Sequence, residues 1–162
     1  MRIVHIIPGS GDSFYCENCL RDVGLVRALR EFGHDVIVVP MYLPLSGGMD
    51  REGPQSPVFF GAVSTYLRQS MPALRGMPRW ARRLLDSPGL LRRAAAKAGS
   101  TSARGLGEMT IAMLRGEDDI HACGISEMTA WLKKSLKPDV IHLSSALLLG
   151  LARPLHRQLG AP

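Results

Sequence analysis

Residues 9–19, GSGDSFYCENC, combine side chains that can bind an anion, exchange electrons or hold a metal ion. The segment lies between an apolar run at residues 3–7 and a stretch that predicts a helix. Free backbone N–H groups and the positive end of the helix dipole favour an anion at such a position. Arg21, one turn into the predicted helix, can add a charge-assisted hydrogen bond to phosphate. The alternative interpretation is a tight turn at Gly9 and Gly11 with a solvated Arg21.

A dinucleotide is one anion that such a loop can bind, and two features of the sequence argue against it. The Gly-x-Gly-x-x-Gly spacing that starts at Gly9 requires glycine at position 14, where the chain has Phe14. An NAD site also places an acidic residue near the end of the second strand, and that end reads Val39-Pro40-Met41. NAD binding is therefore disfavoured.

Cys16 and Cys19 form a Cys-x-x-Cys pair at the predicted helix start, where a thiolate is stabilised and redox exchange occurs. The acidic Glu17 between them opposes thiolate formation. A metal site would need two further ligands, and the other candidates lack a matching spacing: Cys123, His5 and His34. Small thiols packed under the loop are the plainer interpretation, and redox or metal use are the alternatives. Three cysteines do not predict a disulfide framework.

Two histidines fall on predicted buried strands. His142 lies near the carboxyl end of its strand, where a side chain can face a ligand crevice, and His5 lies in the middle of the first strand. A hydrogen-bonded histidine within the core is the more frequent outcome for both positions. Neither residue is assigned a catalytic role.

The order of the predicted elements indicates an α/β fold with a parallel sheet covered on both faces. A first strand at 2–7 is followed by a helix capped by Asn18, with Leu25, Leu29 and Phe32 as its apolar stripe and Val26 beside them. Gly33 ends this helix, and a second strand covers 36–39. The crossover between the two strands is expected to be right-handed.

The rest of the chain continues the alternation around a helical insertion. A loop at 41–56 leads to a short strand at 58–60, and prolines divide residues 62–116 into several short helices. A helix at 118–136 has one buried side: Ile125, Met128, Thr129 and Leu132. A strand at 140–143 follows, and Ser144 or Ser145 caps a closing helix that ends at Gly160. The expected ligand loops follow the carboxyl ends of strands, at 8–17, 41–47 and 144–146.

Composition indicates one globular domain over residues 1–162, with 46% hydrophobic and 21% charged residues. No apolar run is long enough for a membrane span, and no secretion signal is recognised, so we expect a cytoplasmic location. Residues 75–104 hold eight basic residues and one acidic residue, which accounts for the whole net charge of +6. Trp80 and Leu84 in this segment suit an interfacial helix on anionic lipid, and a solvated helical surface is the alternative. With aromatic residues at only 6%, nucleic acid is not expected as a partner.

Several runs of the sequence resemble the amino-terminal domain of family 4 glycosyltransferases of the GT-B architecture. They include residues 14–22 (FYCENCLRD), 27–36 (RALREFGHDV), 39–45 (VPMYLPL), 58–61 (VFFG), 86–88 (DSP), 113–118 (MLRGED) and 139–152 (DVIHLSSALLLGLA). The likeness covers nearly the whole chain. The GHDV piece is common across the superfamily, whereas the YCxxCLRD run is similar to one particular branch.

The resemblance implies a Rossmann-like first half of a two-domain enzyme that moves a sugar from a nucleotide-diphosphate donor to a lipid or polysaccharide acceptor of the cell envelope. It implies no bound metal or other cofactor, and it places the nucleotide on a second domain that this chain does not contain, so these residues alone should be inactive. Its first loop would reach the donor diphosphate. The expected donor or acceptor contacts are Gly9, Ser10, Gly11, Asp12, Ser13, Tyr15, Asn18, Arg21, Tyr42, Ser144 and Ser145. A stand-alone binding module and a thiol-redox protein using Cys16 and Cys19 are the alternatives.

Overall fold

A parallel β-sheet with helices packed on both faces forms the centre of the computed structural model. This is an α/β fold, as the sequence predicts. The residues that the structure describes are 1–8, 17–41, 76, 78–85, 87, 89–90, 107, 110–111, 113–116 and 122–162.

Strands and helices follow one another along the described residues. The elements are β1 (Arg2–Ile7), α1 (Glu17–Glu31), β2 (Asp35–Pro40), α2 (Arg79–Leu85), α3 (Ala122–Trp131), a π-helical turn (Leu132–Leu136), β3 (Val140–Leu143), a 3₁₀ helix (Ala146–Leu151) and α4 (Ala152–Leu159). The predicted strands at 2–7, 36–39 and 140–143 are confirmed. The closing helix and its end at Gly160 are confirmed as well.

The three described strands have the order β2-β1-β3, and both pairings are parallel. The register pairs Arg2 with Asp35 on one side of β1 and Ile3 with Val140 on the other. Parallel strands with both faces covered require nearly continuous runs of apolar residues. The runs in β1 and β2 meet this requirement, because the last five residues of each strand are buried.

Alternate residues of β1 pack into two separate cores, one on each face of the sheet. Val4 and Ile6 lie in the larger core, together with residues of α3, the π-helical turn, the 3₁₀ helix and α4. The buried side predicted for the helix at 118–136 falls on α3 and the π-helical turn and is at most 1% exposed at each position: Ile125, Met128, Thr129 and Leu132. Ile3 and Ile7 pack on the opposite face against α1, chiefly against Val26.

Arg2 holds the amino-terminal edge of the sheet together. Its backbone N–H donates to a carboxylate oxygen of Asp139 at 2.7 Å, and its Nε donates to Asp35 at 2.7 Å. Its Nη1 donates to the carbonyl oxygen of Leu136 at 2.7 Å, at the end of the π-helical turn. Arg2 therefore links β1 to the first residue of β2 and to the segment that precedes β3.

Residues in the left-handed backbone conformation, with a positive φ, end three of the described helical segments. Gly33 (φ +82°) follows α1, and Gly160 (φ +68°) follows α4 with its N–H bonded to the carbonyl oxygen of His156 at 2.9 Å. Both agree with the sequence prediction, because glycine adopts this conformation without a steric penalty. The π-helical turn instead ends at Lys137 (φ 49°). The next residue is Pro138, and proline cannot continue a helix.

The face that α1 presents to the sheet differs from the predicted one. Phe32 is 81% exposed, so the predicted stripe is wrong at its end, and the buried positions are Asp22 and Val26. A stripe selected for apolar residues could not include Asp22, which is buried because it faces His5 on β1. The predicted cap is also wrong: α1 begins at Glu17, so Asn18 lies in its first turn rather than before it.

Two glycines allow the backbone before α3 to approach the 3₁₀ helix. A Cβ atom on Gly150 would lie 2.2 Å from the carbonyl oxygen of Met113, and one on Gly116 would lie 2.1 Å from the carbonyl oxygen of Gly150. Real Cβ atoms do not occur at such distances. Side chains at these positions would therefore force the two segments apart.

Several predicted elements lie outside the described residues. They are most of the loop at 41–56, the strand at 58–60 and most of the insertion at 62–116. Within the insertion, α2 is a short helix of seven residues, which agrees with the prediction of short helices there. No helix among the described residues is both long enough and apolar enough to cross a membrane.

Candidate functional site

Among the three described strands, the chain has a switch point at β1, where its direction along the sheet reverses. From β1 the chain proceeds to β2 on one side, and β3 lies on the other side. In open α/β sheets ligands bind beyond the carboxyl ends of the strands at such a switch point. Here that edge lies after Ile7 of β1 and Leu143 of β3, and α1 begins nearby at Glu17. Ser144 is held at this edge by a 3.0 Å hydrogen bond from its N–H to the carbonyl oxygen of Ile6.

Arg21 connects α1 to this edge of the sheet. Its Nη2 donates to the carbonyl oxygen of Ser144, and the same guanidinium donates to Oδ1 of Asp22 at 2.9 and 3.2 Å. The Arg21 side chain is 54% exposed. The structure thus brings two of the predicted site residues, Arg21 and Ser144, into contact, and it leaves part of a fixed cation open to solvent at the switch point.

The two serines after β3 have different surroundings. The Oγ of Ser144 is buried and has no hydrogen-bond partner among the described residues. The Oγ of Ser145 accepts a 3.3 Å hydrogen bond from the N–H of Leu147 and so caps the 3₁₀ helix. Ser145 therefore confirms the predicted capping role, while Ser144 keeps a hydroxyl that a ligand at this edge could engage.

Of the other predicted contacts, Asn18 falls among the described residues. Asn18 is exposed in the first turn of α1, on the same helix as Arg21. The others lie outside the described residues: Gly9, Ser10, Gly11, Asp12, Ser13, Tyr15 and Tyr42. The thiols of the proposed redox pair, Cys16 and Cys19, lie outside the described side chains as well. Those assignments stay predictions.

A pair of histidines spans β1 and β3 on the face that α1 covers. His5 and His142 are paired in the register of the two strands, and their Nδ1 atoms are 2.7 Å apart. The rings meet edge to edge, with centroids 4.8 Å apart and an angle of 18° between their planes. His5 is only 1% exposed, which agrees with the core position predicted for it. The same prediction is wrong for His142, which is exposed, in a strand whose other residues are only partly buried.

A buried carboxylate faces the other side of His5. Oδ1 of Asp22 lies 3.6 Å from Nε2 of His5, and Asp22 is 2% exposed. That separation is longer than a hydrogen bond, so the contact is chiefly electrostatic. Burial lowers the pKa of His5 to about 4, although the negative charge of Asp22 acts in the opposite direction. His5 is therefore neutral at pH 7.

The sequence offered only weak signals for this cluster. His5 and His142 occupy paired positions of two strands, but no feature of the sequence near either residue indicates that β1 and β3 are neighbours. Asp22 lies four residues before Val26 on α1, so a helical period that admitted polar residues would have placed it toward the sheet. Among the described residues, no group of three or more His, Cys, Asp or Glu side chains is arranged to hold a metal ion.

Comparisons of the chain with protein-family models, with curated proteins and with solved structures give no match. The geometry at the switch point is therefore the evidence for the function of this chain. That geometry offers a partly exposed guanidinium, an unpartnered buried hydroxyl and the first turn of a 15-residue helix. Together these groups suit an anionic ligand that carries hydrogen-bond acceptors.

Proposed function

We propose that the chain is the amino-terminal, Rossmann-like half of a GT-B glycosyltransferase. Its substrates would be a nucleotide-diphosphate-sugar donor and an envelope lipid or polysaccharide acceptor. The observation that carries the proposal is the contact of Arg21 with Ser144 at the switch point between β1 and β3. It places a cation and the start of α1 beside the same sheet edge, where a diphosphate would be bound.

In this proposal the site acts on the leaving group. The bond between the anomeric carbon and the diphosphate oxygen breaks, and the nucleoside diphosphate leaves with the electron pair. The oxygen of the acceptor hydroxyl forms the new bond to the anomeric carbon, and the hydroxyl proton passes to the departing diphosphate. Arg21 and the N–H groups at the start of α1 would stabilise the negative charge that develops on the diphosphate, and the sheet edge would hold the reactants in position.

Fixing the guanidinium before the ligand arrives is useful for such a site. Arg21 already donates to Asp22 and to the Ser144 carbonyl oxygen, so binding does not have to order a free side chain. The buried Asp22 carboxylate offsets part of its charge. The proposal therefore predicts moderate affinity for diphosphate in this half of the enzyme, with the nucleotide held by a second domain.

The lipid side of the proposal draws on α2. Trp80 and Leu84 stand four residues apart on this helix and are 71% and 65% exposed. Residues four apart share one face of a helix, so α2 offers an apolar patch within the basic segment 75–104. Contact with the inner surface of an anionic membrane would bring the transferase to a lipid-linked acceptor.

Pyrophosphate binding to the 162-residue chain tests the proposal directly. Calorimetric titration should show binding that Arg21→Gln weakens about tenfold, the loss expected for one charge-assisted hydrogen bond. Arg27→Gln is the matched control, because it removes the same charge from an exposed position of the same helix. Its effect should stay below about twofold.

Two results would contradict the proposal. One is equal weakening by the two variants, which would indicate a general charge effect. The other is the absence of nucleoside diphosphate release when the complete protein is supplied with a panel of nucleotide sugars. The second assay addresses transfer chemistry, whereas the first addresses the diphosphate contact alone.

A further inference from the structure

Asp22, His5 and His142 lie in a row that crosses from α1 through β1 to β3. Oδ1 of Asp22 faces Nε2 of His5 at 3.6 Å, and Nδ1 of His5 faces Nδ1 of His142 at 2.7 Å. The first two side chains are buried, with exposures of 2% and 1%, and the third is exposed. The row therefore runs from a buried carboxylate to an imidazole in contact with solvent.

The short distance between the two Nδ1 atoms requires a proton between them. Two nitrogen lone pairs at 2.7 Å would repel each other, so one nitrogen carries a hydrogen and the other accepts it. For neutral rings this leaves two assignments. Either His5 donates from Nδ1 and has a bare Nε2, or His142 donates and His5 keeps its hydrogen on Nε2.

Asp22 decides between these assignments. A bare Nε2 on His5 would direct a lone pair at a buried carboxylate 3.6 Å away, whereas an N–H directs the positive end of its dipole there. Inside a low-dielectric core the second arrangement is strongly favoured. We propose that Asp22, acting electrostatically on His5, and the hydrogen bond between His5 and His142 form a relay that leaves the Nε2 lone pair of His142 open to solvent as a proton acceptor for a hydroxyl-bearing ligand.

The other neighbours of His5 are compatible with this assignment. On α1, Arg21 is the second charged group that acts on His5, and it opposes a positive charge on the ring. On β2, the residue paired with His5 is Val38, which has no charge. Burial keeps the pKa of His5 at about 4, so the ring remains neutral at pH 7 and can pass a hydrogen bond without carrying a charge.

The relay gives His142 a function that an ordinary surface histidine lacks. A free imidazole prefers its hydrogen on Nε2, whereas here Nδ1 holds it and Nε2 faces away from His5. A hydroxyl that approaches the α1 face of β3 would meet the Nε2 lone pair of His142. As this ring takes up the proton, Asp22 stabilises its developing positive charge through His5. The relay does not depend on the proposed transferase activity, and its test requires no sugar substrate.

The tautomers are measured by long-range ¹H–¹⁵N correlation spectra of the histidine-labelled 162-residue chain at about pH 8, where imidazoles are neutral. We expect His5 to carry its hydrogen on Nε2 and His142 to carry it on Nδ1. His156 is the internal reference, because its Nδ1 lies 3.2 Å from the carbonyl oxygen of Ala161 and must donate. A His142 ring protonated on Nε2 would overturn the proposal.

Two substitutions at position 5 separate the relay from simple packing. His5→Leu removes the acceptor, so His142 should shift toward the Nε2–H form. His5→Gln can still accept through Oε1, so the Nδ1–H form should persist. The same tautomer of His142 in both variants would contradict the relay. If His5→Leu fails to fold, the spectrum of the unchanged protein still decides the assignment.

Acylation by diethyl pyrocarbonate gives an independent readout of the lone pair. Peptide mass spectrometry measures the rate of acylation at His142 and at His156 in the same sample. We expect His5→Leu to lower the His142 rate roughly fivefold, since the form with a free Nε2 then becomes the minor tautomer. The rate at His156 should not change. Equal rates at His142 with and without His5 would refute the relay.

Discussion

Acid should destabilise this protein through His5 in particular. The ring is buried between β1, α1 and β3, and its pKa is about 4 in the folded chain, against 6.5 for an exposed histidine. The unfolded chain therefore binds a proton at a higher pH than the folded chain does. The stabilisation is fully present above pH 6.5 and is lost as the pH falls from 6.5 toward 4.

The size of the effect follows from the two pKa values. The contribution of His5 to the free energy of unfolding should fall by roughly 2 kcal/mol between pH 7 and pH 5, and by about 3 kcal/mol at pH 4. For a domain with a typical stability of about 5–15 kcal/mol this is a large fraction. Lysine, arginine and exposed carboxylates titrate mostly outside this pH range. They could change the free energy of unfolding by a similar amount only if their own pKa values were shifted as far on folding.

Urea unfolding followed by circular dichroism at pH 7, 6 and 5 measures this loss. Other groups also titrate over this range, so the test compares the protein with His5→Gln, which cannot take up the proton. The variant should lose about 2 kcal/mol less than the parent between pH 7 and pH 5. His34→Gln, outside the sheet between α1 and β2, is the matched control and should behave like the parent. If His5→Gln and the parent show the same pH dependence, the burial argument is wrong.

Three further predictions concern packing, helix propensity and the surface. Gly150→Ala should lower the free energy of unfolding by about 1–3 kcal/mol, since its Cβ would lie 2.2 Å from a backbone oxygen of Met113. Gly24→Ala, in the interior of α1 with no atom within 4 Å of the added Cβ, should raise it by about 0.5–1 kcal/mol, and urea denaturation distinguishes the two signs. Trp80→Ser should reduce cosedimentation with phosphatidylglycerol vesicles about tenfold, because it removes the larger exposed apolar side chain of α2. Equal binding of the parent to phosphatidylcholine vesicles would contradict the role of the basic segment.

Local sequence was sufficient for elements whose determinants are close together in the chain. The runs of β1 and β2 are apolar because both of their faces are covered, so they could be recognised without knowing their neighbours. Gly33 and Gly160 end their helices because glycine accepts a positive φ. Ser145 caps the 3₁₀ helix through its own hydroxyl two residues from the N–H that it binds.

Local reasoning failed where a polar residue was buried by a distant partner. The stripe predicted for α1 included Phe32, which is exposed, and omitted Asp22, which is buried. Besides its neighbour Arg21, Asp22 faces His5, seventeen positions earlier on the neighbouring strand. Apolar periodicity carries no information on such a pair, because the residue is buried for electrostatic reasons and not to remove apolar surface from water.

The amino-acid sequence by itself determined the three described strands, the glycine ends of α1 and α4 and the α/β class, because each depends on residues a few positions apart. Only the tertiary structure decided that β1 lies between β2 and β3, and this order created the features with chemical potential. It placed His142 within hydrogen-bond distance of His5, joined Arg21 to Ser144 and brought Gly116 against Gly150. These contacts join residues 34 to 137 positions apart. Their geometry depends on which strands become neighbours and in which register, and that choice is made by the packing of both cores together.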